Sequence, residues 1–206
     1  MRIYINNGFT LVELMLVLSI FSIIATMAVP AVKTSFDKKE LTRAGEDLYN
    51  HLQLARSESI TRFAPLYVRF NSTGANWQYG ISQNDLCNLN QTDPTLANTD
   101  ACLLVVDDGD GIVDDGTALI DAQDTVLYRF SQADYPNISM TLDAMPNADN
   151  QIAFDPARGT AANATITLQS TRGFKLRLMV GVLGQIRLCS PAGSGYMGGY
   201  SSDACV

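Results

Sequence analysis

Residues 8–32 read GFTLVELMLVLSIFSIIATMAVPAV, an apolar run that contains one charged side chain, Glu13. From Leu14 to Val32, 19 residues carry no formal charge. A helix of that length spans about 28 Å, close to the ~30 Å hydrocarbon core of a bilayer. A secretory signal peptide has a shorter apolar run and a small-x-small cleavage site, which Pro30 disfavours here. We therefore expect residues 9–32 to form a retained transmembrane helix.

The charge at Glu13 leads to a resemblance. A carboxylate within an apolar helix is unfavourable in lipid unless it finds a partner. The segment GFTLVEL (residues 8–14) resembles the class III signal of type IV pilins and type II secretion pseudopilins. The resemblance implies that a prepilin peptidase cuts between Gly8 and Phe9, removes residues 1–8 as a leader and methylates the new amino terminus. It also implies that Glu13 accepts the charge of a neighbouring subunit's Phe9 amine, and that Pro30 bends the helix.

The helical pattern continues beyond the apolar run. Apolar residues recur at spacings of three and four, which predicts an amphipathic helix over residues 33–63 that ends at about Arg62, before Pro65. His51 lies next to this apolar stripe, and we interpret it as a structural or surface histidine. The stripe consists of Leu41, Ala44, Leu48, Leu52 and Ala55.

Residues 64–206 carry short β-like runs separated by turn signals, with no second long helical pattern. We expect an α+β, pilin-like fold: a long N-terminal transmembrane helix packed on a mainly antiparallel β-sheet domain, which lies in the periplasm. The predicted strands are 66–70, 77–82, 103–106, 126–130, 138–142, 152–154, 165–169, 174–180 and 185–189.

A narrower resemblance lies at the end of the helix. The segment QLARSESITR (residues 53–62) is similar to the corresponding segment of H-type (GspH-like) pseudopilins and FimT/FimU-type minor pilins. It implies a minor type IV pilin, a non-catalytic subunit that helps prime pilus assembly at or near the tip. The implied partners are other minor pilins and the major pilin, through the N-terminal helix, besides prepilin peptidase and the inner membrane. Two alternatives stay open: an H-type minor pseudopilin of a type II secretion system, and a DNA-binding minor pilin for natural transformation.

The composition agrees with a role other than catalysis. Lys and Arg number 14 against 21 Asp and Glu, a net charge of −7 that argues against a chain coating DNA with its whole surface. One histidine excludes the usual multi-histidine metal sites. We find no pattern for a catalytic triad or a cofactor loop, and expect no cofactor.

Four cysteines follow the apolar run, and none forms a C-x-x-C pair. An even number in an exported domain predicts disulfides. Three pairings exist. We favour Cys87 with Cys102 and Cys189 with Cys205, because each closes a local loop worth ~3 kcal/mol in the loop-entropy model.

Residues 107–115 read DDGDGIVDD and resemble part of a calcium-binding loop. Asp108, Asp110 and Asp114 would take loop positions 3, 5 and 9, but Thr117 stands where such loops carry a bidentate glutamate. We interpret the segment as a solvated acidic turn, with calcium binding by the three aspartates as the alternative.

Charge is unevenly distributed in the second half of the chain. Residues 157–202 contain five basic side chains and no acidic one. FimT-like DNA-uptake pilins carry Gly-Arg-x-Arg near the carboxyl end, whereas residues 184–187 here read GQIR, which lacks the first arginine. DNA contact through a local basic face is therefore the less favoured interpretation. Its candidate residues are Arg172, Lys175, Arg177 and Arg187.

Overall fold

One 52-residue helix, α1 (Leu11–Arg62), precedes a β domain. The structure, a computed structural model, describes residues 9–91, 100–105 and 125–205, with the side chains of residues 27–31, 105, 125 and 126 left out. The strands are β1 (Leu66–Ser72), β2 (Trp77–Ser82), β3 (Leu103–Val105), β4 (Thr125–Leu127), β5 (Arg129–Ser131), β6 (Ile138–Ala144), β7 (Gln151–Phe154), β8 (Ala164–Ser170), β9 (Lys175–Val180) and β10 (Ile186–Cys189).

Both ends of α1 are capped. The Thr10 hydroxyl accepts a hydrogen bond from the Glu13 N–H at 3.2 Å, which satisfies one of the free amides of the first turn. At the other end Phe63 takes a left-handed conformation, and its N–H donates to the Ile60 carbonyl at 3.3 Å. The helix therefore ends at Arg62, as the sequence predicts.

The strands form two four-stranded sheets and one two-stranded pair. The first sheet has the order β5-β2-β1-β7, the second has the order β10-β9-β8-β6, and β3 pairs with β4. All seven strand pairings within the described residues are antiparallel. The predicted α+β fold, a helix packed on antiparallel sheets, is confirmed.

One predicted strand is divided in two. The run 126–130 was expected as a single strand, but Tyr128 separates β4 from β5, which lie in different sheets. The Tyr128 N–H donates to the Cys102 carbonyl at 3.1 Å, and its carbonyl accepts from the Ile81 N–H at 2.9 Å. The backbone switches partners at this residue, which hydrophobic alternation alone does not reveal.

The core lies between the second half of α1 and the two large sheets. The predicted apolar stripe is buried in full, each of its five residues being at most 3% exposed. The helix packs against β1, β6, β7, β8, β9 and β10. The largest fully buried side chains of the sheets, Tyr79, Phe70 and Phe154, complete the same cluster.

Two disulfides close local loops in the β domain. Cys87 is bonded to Cys102, and Cys189 to Cys205, over sequence separations of 15 and 16 residues. These are the two pairings that loop length favours. The second bond encloses a loop that is tied down internally, because the Ser190 hydroxyl donates to the Lys175 carbonyl and accepts from the Met197 N–H.

Candidate functional site

The first half of α1, residues 11–26, presents apolar side chains to its surroundings on all sides. Leu11 is 74% exposed, and other large apolar residues of this half are at least half exposed. Its three hydroxyl groups, those of Ser19, Ser22 and Thr26, donate to carbonyls of the same helix at 2.7–2.8 Å. The surface that remains is therefore apolar, with its hydroxyl donors already satisfied. Within the described part of the chain, no helix is both long and apolar enough to cross a membrane.

Three of the four predicted processing and assembly residues, Phe9, Glu13 and Pro30, lie within the described residues. Gly8 falls outside the described residues. Phe9 is 82% exposed directly before the helix. Glu13 lies in the first turn, where the positive end of the helix dipole favours a carboxylate, and α1 continues through Pro30.

The second half of α1 uses its carboxylates to hold the β domain. Asp37 pairs with Arg172 at 2.6 Å, and Glu40 accepts from the backbone and side-chain amides of Asn137. Two further carboxylates accept hydrogen bonds from tyrosine hydroxyls, Asp47 from Tyr135 at 2.5 Å and Glu46 from Tyr200 at 3.0 Å. These contacts could not be predicted from the sequence, because the partners lie about 90 or more residues away along the chain.

The tyrosines at these contacts are shifted towards their protonated forms. Burial raises the pKa of Tyr135 above its usual range, and the hydrogen bond to the Asp47 carboxylate adds to the shift. Burial also raises the pKa of Tyr200, with a smaller contribution from the bond to Glu46. Both hydroxyls therefore remain donors at neutral pH.

His51 has the structural role that the sequence predicts. Its Nδ1 lies 2.8 Å from the Tyr79 hydroxyl, and its ring stacks on Phe130 with 3.9 Å between centroids. Burial lowers the pKa of His51 below its ordinary value of 6.5, while the Asp47 carboxylate acts in the opposite direction. The neutral ring is a packing element of the domain.

The four predicted DNA-contacting side chains do not form one unpaired basic surface. Arg172 forms an ion pair with Asp37 and donates a hydrogen bond to the Thr34 hydroxyl of α1. Arg177 on β9 lies 3.8 Å from Asp143 and donates to Thr167. Lys175 and Arg187 have no carboxylate partner among the residues that the structure describes. Two of the four charges are thus neutralised within the chain.

Gly184, the first residue of the GQIR segment, has a backbone reason to be glycine. Its φ is +70°, and a Cβ there would lie 1.8 Å from the Gly159 carbonyl oxygen. The same carbonyl accepts from Arg56 Nε at 3.0 Å, and Arg56 Nη2 donates to the Leu183 carbonyl at 3.3 Å. This glycine therefore belongs to a packing contact with the end of α1.

The end of α1, residues 53–62, is hydrogen-bonded to the β domain, and we call this contact the clamp. Besides the two carbonyls held by Arg56, the buried Ser59 hydroxyl donates to the Phe154 carbonyl at 2.9 Å. Periodicity and resemblance predict a helix over this segment, but neither predicts the contact. A serine within an apolar stripe, four residues after Ala55, was the available signal for this contact.

The aspartates Asp108, Asp110 and Asp114 lie outside the described residues. Their interpretation as an acidic turn, with calcium binding as the alternative, stays a prediction.

Comparisons with known proteins agree with these features. The family model of the type II transport protein GspH matches residues 44–196, and that of the prokaryotic N-terminal methylation motif matches residues 5–29. No curated protein sequence matches the chain.

Two solved structures are similar at low identity. The minor pseudopilin EpsH from the type 2 secretion system of Vibrio cholerae is 11% identical, with a TM-score of 0.44 over 75% of this chain and 99% of that one. The type IV minor pilin FimU of Pseudomonas aeruginosa is 16% identical, with a TM-score of 0.41 over 77% and 96%. Since the GspH model matches well over half of its length, the chain belongs to the GspH family of type II transport proteins.

Proposed function

We propose that this protein is a minor type IV pilin, a non-catalytic subunit that helps prime pilus assembly and occupies a position at or near the tip. The observation that carries the proposal is the division of α1. Its second half is buried against the β domain, whereas its first half exposes large apolar side chains that none of the described residues covers. Such a surface needs a bilayer or the helices of neighbouring subunits around it.

Maturation begins at the amino terminus. The methylation-motif match over residues 5–29 supports cleavage between Gly8 and Phe9, with methylation of the Phe9 amine. Before assembly the first half of α1 anchors the chain in the inner membrane, with the β domain in the periplasm. In the filament, the Glu13 carboxylate accepts the amine of a neighbouring subunit, so that two charges are buried as a pair. Its partners there are other minor pilins and the major pilin.

The second candidate is an H-type minor pseudopilin of a type II secretion system. The description of the matched family, a type II transport protein, favours it. Both candidates require the same architecture and the same processing, and they differ in the filament that the subunit joins.

A deletion strain distinguishes the two candidates. Filaments sheared from the cell surface and proteins secreted into the medium are measured in parent, deletion and complemented strains. Loss of surface filament with normal secretion supports the minor pilin, and loss of secretion with intact pili supports the pseudopilin. Normal levels of both would contradict the proposed function.

Complementation with Glu13→Gln tests the assembly role of the carboxylate. The Glu13 side chain is exposed, and within the described residues no hydrogen bond or ion pair links it to the β domain. The variant should therefore fold and be processed normally while restoring far less of the lost phenotype. Asp149→Asn, at an exposed carboxylate between β6 and β7, serves as the matched control. Mass spectrometry of both variants checks for removal of the leader and methylation of Phe9.

A further inference from the structure

An apolar patch lies at the end of α1 remote from Glu13. It consists of Ile60, Phe63, Val182 and Leu183, which are 41%, 85%, 59% and 69% exposed. We call these four residues the distal patch. A helix of 52 residues is about 78 Å long, so the patch and the proposed assembly end are separated by nearly the length of the subunit.

Three chain segments meet beside the distal patch. Arg56 joins them by donating to the carbonyls of Gly159 and Leu183. A Cβ at Gly159 would lie 2.7 Å from Ile60 Cδ1, so the Ile60 side chain rests directly on this turn. Val182 and Leu183 form the tip of the β9–β10 hairpin, which Arg56 holds against the helix.

Phe63 is the most unusual member of the distal patch. Its φ of 52° is in the left-handed region, where a bulky side chain is disfavoured and Gly or Asn is normal at a helix end. Its side chain is also the most exposed of the four. Among the described residues, the Phe63 ring has no aromatic or cation–π contact that would compensate for the strain or the exposure.

A second left-handed residue provides the contrast. Leu86 has a φ of 57°, but its N–H donates to Gln151 Oε1 and its carbonyl accepts from Arg69. The fold therefore imposes the conformation of Leu86 through two hydrogen bonds. At Phe63 the backbone makes the helix-capping bond to Ile60, which an asparagine would make equally well.

The charges around the distal patch favour an acidic partner. Arg56, Arg62 and Arg158 lie on this side, against Glu58 and Asp155. Glu58 pairs with Arg62, and Asp155 Oδ1 accepts the backbone N–H groups of Ala157 and Arg158. Within the described residues, neither Arg56 nor Arg158 has a carboxylate partner. A chain of net charge −7 thus presents a net positive rim around an apolar centre.

The size of the patch restricts the kind of partner. A stable interface engages about 20–30 residues a side, far more than four exposed side chains and their rim. A small contact suffices when the partner is held close by a second attachment, because the effective concentration is then high. Repulsion between two copies of net charge −7 disfavours self-association.

We propose that the distal patch docks a different pilin-like subunit, one held alongside by its own N-terminal helix and presenting carboxylates around apolar side chains. The inference rests on the proposed function, since it needs a filament or membrane that brings the two subunits together. Phe63 is the central contact, and the rim arginines orient the partner.

The test is photo-cross-linking of the full-length protein in the producing cells. A photoreactive amino acid replaces Val182 in the patch, Phe36 on the exposed face of α1, or Ala75 in the β1–β2 turn as a background site. The other subunits of the organism that carry a prepilin signal are tagged one at a time, so that each product is identified. We expect a product with one such subunit from position 182 and none from position 75.

Two matched variants separate docking from folding. With the photoreactive group at position 182, Phe63→Asn removes the apolar contact and relieves the left-handed strain. We expect the yield of its cross-linked product to fall about tenfold, which corresponds to the loss of one contact worth about 1.4 kcal/mol. The melting temperature of this variant should be unchanged or higher. Leu86→Asn makes the same exchange away from the patch and should leave the product unchanged. Arg158→Glu should also weaken the product.

Each remaining outcome overturns the docking proposal. A product with a second copy of this chain alone would show self-association, and a product with DNA would show a nucleic-acid surface. Products from position 36 without any from position 182 would leave the proposed function standing and remove the distal patch from it. Absence of products from both positions would count against the proposed function itself.

Discussion

The two halves of α1 contain similar side chains with opposite surroundings. In the first half Leu16 is 57% exposed and Ile24 is 60% exposed, whereas in the second half Leu48 and Leu52 are at most 1% exposed. This difference in exposure follows from the residues that are interspersed with the apolar ones in each half. After Glu13 the first half has no charged residue to form a polar face, and the second half alternates its leucines with acids and bases at helical spacing. One continuous helix therefore combines a surface for other molecules with a surface for its own domain.

The strongest test of this division is a pair of leucine truncations. Leu52→Ala removes a fully buried side chain and should lower the free energy of unfolding by about 2–5 kcal/mol. Leu16→Ala in the first half should change it by no more than about 0.5 kcal/mol. Urea unfolding of the full-length protein in mild detergent, followed by the fluorescence of the buried Trp77, measures both. Equal losses would mean that the two halves are not distinct.

A smaller effect is expected at the clamp that ends the second half. Arg56→Ala leaves the carbonyls of Gly159 and Leu183 without a guanidinium donor, and we expect a loss of about 1–3 kcal/mol. Arg43→Ala is the control, since Arg43 is exposed and its ion pair with Asp47, at 3.6 Å, should contribute at most about 1 kcal/mol. If both arginines gave the same small loss in urea unfolding, the clamp would have no energetic role.

Two serines provide a finer comparison between the halves. Ser59 is buried and donates to Phe154, 95 residues away, so Ser59→Ala should cost about 1 kcal/mol. Ser19 donates to Leu16 of its own turn, and Ser19→Ala should be close to neutral because alanine favours helix. The difference between their melting temperatures is the measurement. A larger loss for Ser19→Ala would indicate that the first half also packs on the domain.

Much of this fold could be predicted because its signals are local. The spacing of the α1 stripe, the residues before Pro65 and the alternation in β9 depend on neighbours within a few positions. The division at Tyr128 could not be predicted, since it depends on Ile81 in β2 and on Cys102 directly before β3.

The candidate site was less predictable than the fold for the same reason. The apolar run and Glu13 predict an assembly surface directly. Arg172 forms an ion pair with Asp37, and Arg177 forms one with Asp143. Because these partners are distant in sequence, a count of charges does not reveal the pairs. The helix end near Phe63 was predictable, but its left-handed conformation was not, because phenylalanine is not typical of that position.

The smallest effect concerns His51, which belongs to the second half of α1 but not to its stripe. Burial lowers the pKa of His51 below 6.5, although the nearby Asp47 carboxylate acts in the opposite direction. As the pH falls, the imidazole is therefore protonated in the unfolded chain before it is protonated in the folded chain. The contribution of His51 to stability is complete above pH 6.5 and decreases as the pH falls through its pKa in the folded state. Melting temperatures at pH 7.5 and 5.5 should therefore differ more for the parent than for His51→Gln, which cannot be protonated in this range. Equal loss of stability on acidification in the parent and the variant would mean that the stacking on Phe130 and the bond to Tyr79 do not hold the ring in its neutral form. The acid sensitivity of the domain would then have to come from the carboxylates that contact Tyr135, Tyr200 and Arg172.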